Sequence, residues 1–224
     1  MTYITAHSGS DQTEENSLRF VEFFRHKPVD ALEIDVRENS RGQLVLNHDQ
    51  LVVGEDYLSL NTFLTAMKGT SLKLNCDLKE SNLEIGVFEL AQRHNKWSDI
   101  LLSGNVDPKY LKKWPTQLLM NIENAVDPRK SYAEWDEETV IEGMEHLAKQ
   151  GAKIINMPEQ LFTEKIYETG QALAVDFSLW TVNDLNRIEE LVAKNIYNVT
   201  SRQAWAYLQR RTADEISKSQ TSVS

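Results

Sequence analysis

Residues 31–37 form an apolar run with an acid at two alternate positions: Ala31-Leu32-Glu33-Ile34-Asp35-Val36-Arg37. Side chains at positions i and i+2 of a β-strand point to the same face, so Glu33 and Asp35 share one face and the aliphatic residues share the other. Lys27-Pro28 ends the helical pattern before the run, and residues 39–42 give a turn signal after it. We therefore interpret residues 31–37 as a strand that presents two carboxylates near its carboxyl end.

Similar short β-rich runs recur along the chain and alternate with amphipathic helical stretches. Such alternation predicts repeated βα units around a parallel sheet. The runs cover residues 3–7, 31–37, 44–48, 72–78, 99–102, 117–122, 152–157, 172–181 and 195–199, and helical patterns include residues 15–26, 60–67, 83–94, 108–113 and 136–150. The sequence therefore offers one strand more than an eight-stranded barrel needs.

We assign the surplus run, residues 44–48, to a β-hairpin in the loop after the second strand. The predicted fold is then an α/β protein of the (β/α)8 TIM-barrel class, a single domain over residues 1–211. An open doubly wound sheet is the structural alternative, although no glycine-rich phosphate fingerprint follows the first strand. Residues 212–224 are polar and lack apolar periodicity, which predicts a disordered tail.

The chain is acidic: among its 224 residues, 34 Asp and Glu against 24 Lys and Arg give a formal net charge of −10. This balance argues against a nucleic-acid partner, because phosphate backbones bind clustered Lys and Arg. We recognise neither a secretory signal nor a window of ~20 apolar residues, and we expect a cytoplasmic protein without stable membrane insertion. The single cysteine, Cys76, is expected to be buried and reduced. The oligomeric state stays open.

Carboxylates gather at the predicted strand ends, where the sites of such barrels form. Glu33 and Asp35 would repel each other unless a cation lay between them, and oxygen ligands suit Mg²⁺ or Ca²⁺. Asp77 ends the next barrel strand, where it can supply a third carboxylate to the same ion. Lys79 on the same face can neutralise an anionic substrate. The alternatives are a half-exposed strand with solvated acids and an ordinary Asp77–Lys79 ion pair.

Two of the five histidines, His7 and His48, lie at predicted strand ends. Because the pKa of histidine is ordinarily near ~6.5, two of them beside a substrate can exchange proton donor and acceptor roles near neutral pH. The alternative for each is a structural histidine. The other three histidines lie on helical stretches, and we assign them no role.

These residues fall into short motifs that occur in order along residues 3–201. The motifs are Ala6-His7-Ser8-Gly9, Glu15-Asn16, Glu33-Ile34-Asp35-Val36-Arg37, Val45-Leu46-Asn47-His48-Asp49, Asp77-Leu78-Lys79 and Leu179-Trp180-Thr181-Val182-Asn183. Together they resemble the motifs of the glycerophosphodiester phosphodiesterase family.

The resemblance implies a (β/α)8 barrel that hydrolyses small-molecule glycerophosphodiesters to glycerol 3-phosphate and an alcohol. One divalent cation, Mg²⁺ or Ca²⁺, would be held by Glu33, Asp35 and Asp77. His7 and His48 would act as general acid and base in a route through a cyclic phosphate. The same resemblance implies a set of substrate-binding residues, which are Lys79, Ser8, Arg37 and Trp180.

The sequence also departs from the family pattern. Ser8 stands where the family has an arginine that grips the phosphate, Asp77 replaces a more usual glutamate, and Thr200-Ser201-Arg202 lacks the customary aspartate. Ser8 motivates a second hypothesis, a catalytically impaired barrel that binds a phosphorylated metabolite or a protein partner. A third hypothesis is a phospholipase of the sphingomyelinase D kind, which predicts an apolar loop at the mouth that the sequence lacks.

Overall fold

The computed structural model describes residues 1–126 and 131–221. Within these residues nine β-strands alternate with seven α-helices. The strands are β1 (Tyr3–Ala6), β2 (Ala31–Glu38), β3 (Leu44–Leu46), β4 (Lys73–Leu78), β5 (Ile100–Gly104), β6 (Leu119–Asn121), β7 (Ile154–Pro158), β8 (Asp176–Trp180) and β9 (Asn198–Ser201). The helices are α1 (Leu18–Phe24), α2 (Leu60–Ala66), α3 (Glu84–Arg93), α4 (Glu137–Gln150), α5 (Glu164–Leu173), α6 (Leu185–Ala193) and α7 (Ala204–Thr221).

Eight of these strands form a parallel barrel in the order β5-β4-β2-β1-β9-β8-β7-β6. The two ends of this path meet through a parallel bridge between Leu102 and Leu118, where the Leu102 N–H donates to the Gln117 carbonyl at 2.8 Å. The register of β2 on β4 places Asp35 directly beside Asp77. The predicted (β/α)8 barrel is confirmed, and the open doubly wound sheet is excluded because the ring of strands closes.

Strand β3 lies outside the ring and pairs antiparallel with the end of β2. After β3 the Asn47 N–H donates to the Asp35 carbonyl at 3.2 Å, which ties the returning chain to β2. The hairpin predicted for residues 44–48 is therefore confirmed. It carries His48 to the carboxyl end of the barrel.

The helices cover the outside of the barrel with apolar side chains. Phe20 and Phe24 of α1 and Phe63 of α2 are fully buried in this layer. Side-chain N-caps begin five of the helices, and the capping residues are Ser17, Ser59, Asp136, Thr163 and Asp184. The connection after β5 contains only a short 3-10 turn at Pro108–Tyr110.

The inside of the barrel is apolar at one end and polar at the other. Leu101, Leu119 and Ile154 form a small buried cluster of their own. Elsewhere in the interior Thr5 donates to the Asn198 amide oxygen at 2.6 Å, and further polar side chains line a cavity at the carboxyl ends of the strands. The fold thus closes one end of the barrel and leaves the other polar and open.

Helix α7 continues to Thr221, so the structure describes residues 212–221 as helical where the sequence analysis predicts a disordered tail over residues 212–224. Extending a helix that is already anchored on the barrel requires no new nucleation, so a polar stretch without apolar periodicity can still be helical. Residues 222–224 lie outside the described residues. Among the helices described, none combines the length and apolar character required to cross a membrane.

Candidate active site

The polar end of the barrel contains a cavity of about 350 Å³. All eight barrel strands, or the loops directly after them, contribute lining residues. Seven of the nine residues predicted for the site line this cavity: His7, Glu33, Asp35, His48, Asp77, Lys79 and Trp180. The other two, Ser8 and Arg37, do not, and each makes a different contact.

Glu33, Asp35 and Asp77 each offer one carboxylate oxygen within 4.8 Å of the others. Asn16 holds Asp35 twice: its side-chain N–H donates to Oδ2 at 2.9 Å, and its amide oxygen accepts from the Asp35 N–H at 2.9 Å. The Ser8 N–H donates to Glu33 Oε2 at 3.0 Å. The predicted carboxylate cluster is therefore assembled, with its members fixed by hydrogen bonds.

Lys79 is the direct cationic partner of this cluster. Its Nζ lies 2.8 Å from Asp35 Oδ1 and 2.6 Å from Asp77 Oδ2. Burial alone would lower the pKa of Lys79, but the two carboxylates more than offset it and leave this pKa raised. Lys79 therefore stays protonated in the cavity.

Glu33 is the most strongly perturbed acid of the cluster. Burial raises the pKa of Glu33 well above its usual range, and the neighbouring Asp35 and Asp77 raise it further. With all three acids ionised, three negative charges against the one positive charge of Lys79 leave two in excess. A divalent cation would compensate them.

The donor set fits a hard divalent cation. All the ligand atoms are carboxylate oxygens, which suit Mg²⁺ or Ca²⁺ rather than a softer ion. Asn75 Oδ1 also belongs to a cavity-lining residue, is buried, and has no hydrogen-bond partner within the described part of the chain. Ser103 accepts from the Asn75 amide at 3.0 Å and donates to Asp77 Oδ1 at 2.7 Å, which orients that carboxylate.

His7 follows β1 and lies beside the carboxylates. Its Nδ1 is 3.7 Å from Glu33 Oε2 and 2.9 Å from the Ser8 carbonyl oxygen. Burial lowers the pKa of His7, with a further lowering from the positive charge of Arg202. Because a carbonyl oxygen only accepts, Nδ1 carries the proton of the neutral ring and Nε2 is the free base.

His48 lies on the returning limb of the hairpin. Its side chain is 63% exposed, and Nδ1 is 2.9 Å from Asp49 Oδ1. The Arg37 guanidinium donates to the His48 carbonyl at 2.9 and 3.3 Å and to Glu80 at 3.0 Å. The guanidinium of Arg37, which was predicted to bind substrate, makes these contacts at the hairpin and does not line the cavity. Its contacts hold the backbone that carries His48.

Ser8 was also predicted to bind substrate, and its side chain is 0% exposed. Its Oγ accepts from the Asn16 N–H at 2.8 Å, so the hydroxyl joins the two limbs of the first loop. The Ser8 side chain is thus enclosed in the loop and does not line the cavity. This position depends on the path of a loop, which strand periodicity does not specify.

Several cavity residues were not assigned to the site by the sequence analysis. Glu123 follows β6; burial raises its pKa, and its Oε1 accepts from the Tyr132 hydroxyl. The Tyr132 ring stacks edge-on with Trp180 at 6.1 Å between centroids. Arg202 follows β9 and reaches the cavity edge beside His7. For Glu123 and Arg202 the available signal was their position shortly after predicted strands, at the face where barrel sites form.

The fold and the cavity define a (β/α)8 barrel whose three clustered carboxylates could hold a metal ion, with two histidines lining the same cavity. No family model and no curated protein matches the sequence. One solved structure with the same fold is a protein from Agrobacterium tumefaciens assigned to the glycerophosphoryl diester phosphodiesterases; the TM-score is 0.76 at 15% identity, over 96% of this chain and 99% of that one. Another is a glycerophosphodiester phosphodiesterase from Parabacteroides distasonis, with a TM-score of 0.70 at 16% identity over 96% of this chain and 98% of that one.

A third is a phosphodiesterase from Oleispira antarctica in complex with the product sn-glycerol 3-phosphate. Its TM-score is 0.68 at 17% identity, over 93% of this chain and 96% of that one. The chain therefore has the fold of the glycerophosphodiester phosphodiesterases over nearly its whole length. The resemblance found in the sequence motifs is confirmed at the level of the fold.

Proposed function

We propose that the cavity hydrolyses glycerophosphodiesters to glycerol 3-phosphate and an alcohol, with a divalent cation held by Glu33, Asp35 and Asp77. The observation that carries the proposal is the convergence of this cluster and two histidines, His7 and His48, on one cavity. A bound divalent cation supplies charge neutralisation for the phosphoryl oxygens. The shared fold, including a relative solved with sn-glycerol 3-phosphate, supports the same substrate class.

His7 is the base of the first step. Its Nε2 takes the proton of the glycerol hydroxyl adjacent to the phosphodiester, and the hydroxyl oxygen attacks phosphorus. Two features suit His7 to this role: the Ser8 carbonyl holds the proton on Nδ1, and burial keeps the ring neutral by lowering its pKa. Lys79, which stays protonated, contributes positive charge on the carboxylate side of the same cavity.

His48 is the acid of the first step. As the bond between phosphorus and the departing alcohol oxygen breaks, that oxygen takes a proton from His48, and a cyclic phosphate remains. Water then opens the ring: His48 accepts a proton from water, and His7 returns its proton to the glycerol oxygen. Asp49 binds Nδ1 of His48, which leaves Nε2 to exchange protons.

The test is release of glycerol 3-phosphate from a panel of glycerophosphodiesters by the purified protein with Mg²⁺, with Ca²⁺ and with chelator. We expect chelator-sensitive release that falls about 10²–10⁴-fold in His7→Ala, the usual range for removal of an acid–base group. His26→Ala is the matched control, because His26 is exposed after α1 and does not line the cavity. A diester without the adjacent hydroxyl should not be cleaved.

Two results would contradict the proposal. One is a folded, cation-binding protein that releases no product from any diester in the panel. The other is equal activity of His7→Ala and His26→Ala. Cleavage of the diester that lacks the adjacent hydroxyl would exclude the cyclic route and point to direct attack by water.

A further inference from the structure

Two side chains with permanent positive charge line the cavity within the described residues, Lys79 and Arg202. They differ in how their donors are used. Lys79 places its single nitrogen between two carboxylates, at 2.8 and 2.6 Å. Arg202 has several nitrogens, and its protein contacts use only one of them.

The backbone of Arg202 is fixed between two loops at the mouth. Its N–H donates to the Asn183 side-chain oxygen at 2.9 Å, and its carbonyl accepts from the Asp11 N–H at 3.1 Å. In its side chain, Nη1 donates to the Ser8 carbonyl at 3.1 Å and lies 2.9 Å from Glu15 Oε1. The guanidinium is therefore oriented before any ligand arrives.

Gly9 leaves the space in which the Glu15 and Arg202 side chains lie against the first loop. A Cβ at Gly9 would lie 2.5 Å from Glu15 Cγ and 3.4 Å from Arg202 Nη1, and Gly9 has φ +75°, in the left-handed region. Any larger residue would displace the Glu15–Arg202 pair. The first loop is thus shaped to bring this pair against the edge of the cavity.

The remaining donors of Arg202 are available to a ligand. Among the described residues none accepts from Nε or Nη2, and the Arg202 side chain is 41% exposed and lines the cavity. Its positive charge lowers the pKa of His7, so the guanidinium is near the imidazole. A guanidinium with two donors pointing from one edge matches two oxygens of a phosphoryl group.

We propose that Arg202 binds the phosphoryl group of the substrate through Nε and Nη2, at the histidine edge of the cavity and opposite Lys79. Arg202 thereby supplies the planar cation that the buried Ser8 hydroxyl cannot supply. The proposal rests on the proposed phosphodiesterase function for its substrate, but its central claim is the binding of a phosphoryl anion, which can be measured without turnover.

The alternative is a purely structural Arg202 that only clamps the first loop through Ser8 and Glu15. Substitution of Glu15 separates the two roles. Glu15→Gln removes the ion pair and keeps the guanidinium, whereas Arg202→Ala removes both. If clamping were the whole role, Glu15→Gln would weaken anion binding in the same direction as Arg202→Ala, because it removes one of the two clamping contacts.

The experiment is calorimetric titration of the Mg²⁺-loaded protein with inorganic phosphate and with sn-glycerol 3-phosphate, together with kcat and KM on cleaved diesters. We expect Arg202→Ala to weaken binding of both anions by about 10–100-fold, in the range of a lost charge-assisted hydrogen bond. Arg202→Lys should recover only part of this, because an ammonium lacks the fork. Glu15→Gln should bind both anions at least as tightly as the parent.

Arg93→Ala is the matched control, since Arg93 is an exposed arginine at the last residue of α3 and does not line the cavity. Unchanged anion binding by a folded Arg202→Ala protein would overturn the proposal. So would equal weakening in Arg202→Ala and Glu15→Gln, which would assign the effect to the loop. Anion binding that depends on Arg202 in a protein without diester cleavage would uphold this inference while rejecting the proposed function.

Discussion

At the residue scale, Glu33 has the most strongly perturbed environment of the candidate cation ligands. Burial and then the charges of Asp35 and Asp77 raise its pKa above the usual 4.5. The folded state therefore holds this proton more tightly than the unfolded chain does. Stability from this group is fully present below pH 4.5 and is lost as the pH rises through the folded pKa.

We predict that Glu33→Gln stabilises the cation-free protein at pH 7 and abolishes stabilisation by Mg²⁺ or Ca²⁺. Replacing the Glu33 carboxylate by an amide removes a buried negative charge and a cation ligand at once. The same substitution therefore produces both the stabilisation and the loss of the response to the ion. Each 1 kcal/mol of change corresponds to roughly 2–4 °C in Tm for a chain of this length. Thermal unfolding at pH 5 and pH 7, with chelator and with each ion, measures both effects.

The matched control is Glu38→Gln, because Glu38 lies on the same strand but is exposed and outside the carboxylate cluster. Its Tm should respond to the ions as the parent does. A Glu33→Gln protein that still gains stability from Mg²⁺ or Ca²⁺ would show that the cation binds elsewhere.

The residues that the sequence predicted well are those that strand geometry fixes. Alternation places Glu33 and Asp35 on one face, and parallel pairing brings Asp77 beside them. Ser8 and Arg202 are different, because their side-chain positions depend on the paths of loops. No local pattern specifies those paths, so the sequence analysis gave neither the enclosed position of the Ser8 side chain nor the position of Arg202 at the cavity.

At the element scale, the β2–β3 hairpin determines where His48 lies. The Arg37 guanidinium bridges the His48 carbonyl and Glu80. We predict that Arg37→Ala lowers kcat by about 10-fold through loss of acid–base alignment, with KM changed less than the rate. Steady-state kinetics on a cleaved diester distinguishes this positioning role from direct substrate binding, which would raise KM. Arg41→Ala, at an exposed position in the hairpin turn, should match the parent.

The end of β5 gives a second test at this scale. Gly104 has φ +79°, and a Cβ there would lie 2.4 Å from the Leu78 carbonyl oxygen and 2.9 Å from Asp77 Oδ1. Gly69 has the same φ of +79° but no atom within 4 Å of the corresponding Cβ. The two glycines therefore share one backbone strain and differ in crowding.

We predict that Gly69→Ala costs about 1–2 kcal/mol of unfolding free energy from the left-handed backbone alone. Gly104→Ala should cost a further ~1–3 kcal/mol from overpacking and should weaken cation binding by displacing Asp77. Urea unfolding and cation titration of both variants measure the two effects. Equal costs at the two positions would show that the β4–β5 connection relaxes around the new methyl group.

At the scale of the whole molecule, the alternation of β-rich and helical runs was enough to predict the barrel and its extra hairpin. Each βα unit buries apolar residues on a neighbour, and α-helices follow seven of the eight barrel strands, so errors in single elements matter little. The helical course of residues 212–221 was missed because it depends on an anchored α7 rather than on its own apolar pattern. The cytoplasmic location and the absence of a nucleic-acid partner stay predictions from composition.

The weakest strand pairing of the barrel is the contact between β5 and β6 that closes the ring, which we call the seam. Strands β2 and β4 share six paired positions, whereas β5 and β6 meet through the single Leu102–Leu118 bridge. Beside this bridge the Gln117 side chain donates to the Trp97 and Ile100 carbonyls at 2.9 and 3.0 Å. Opening at this seam breaks few hydrogen bonds, so it should occur without global unfolding.

We predict that in hydrogen exchange the Leu102 amide exchanges faster than the amides of β2 and β4, with little dependence on low urea concentrations. Gln117→Ala should accelerate exchange at Leu102 further, because it removes the two hydrogen bonds that the Gln117 side chain donates, and should leave β2 unchanged. Residue-resolved exchange by NMR measures this. Uniform protection around the ring would mean that the barrel opens as one cooperative unit, and that closure is maintained by the helices packed outside β5 and β6 rather than by the strands themselves.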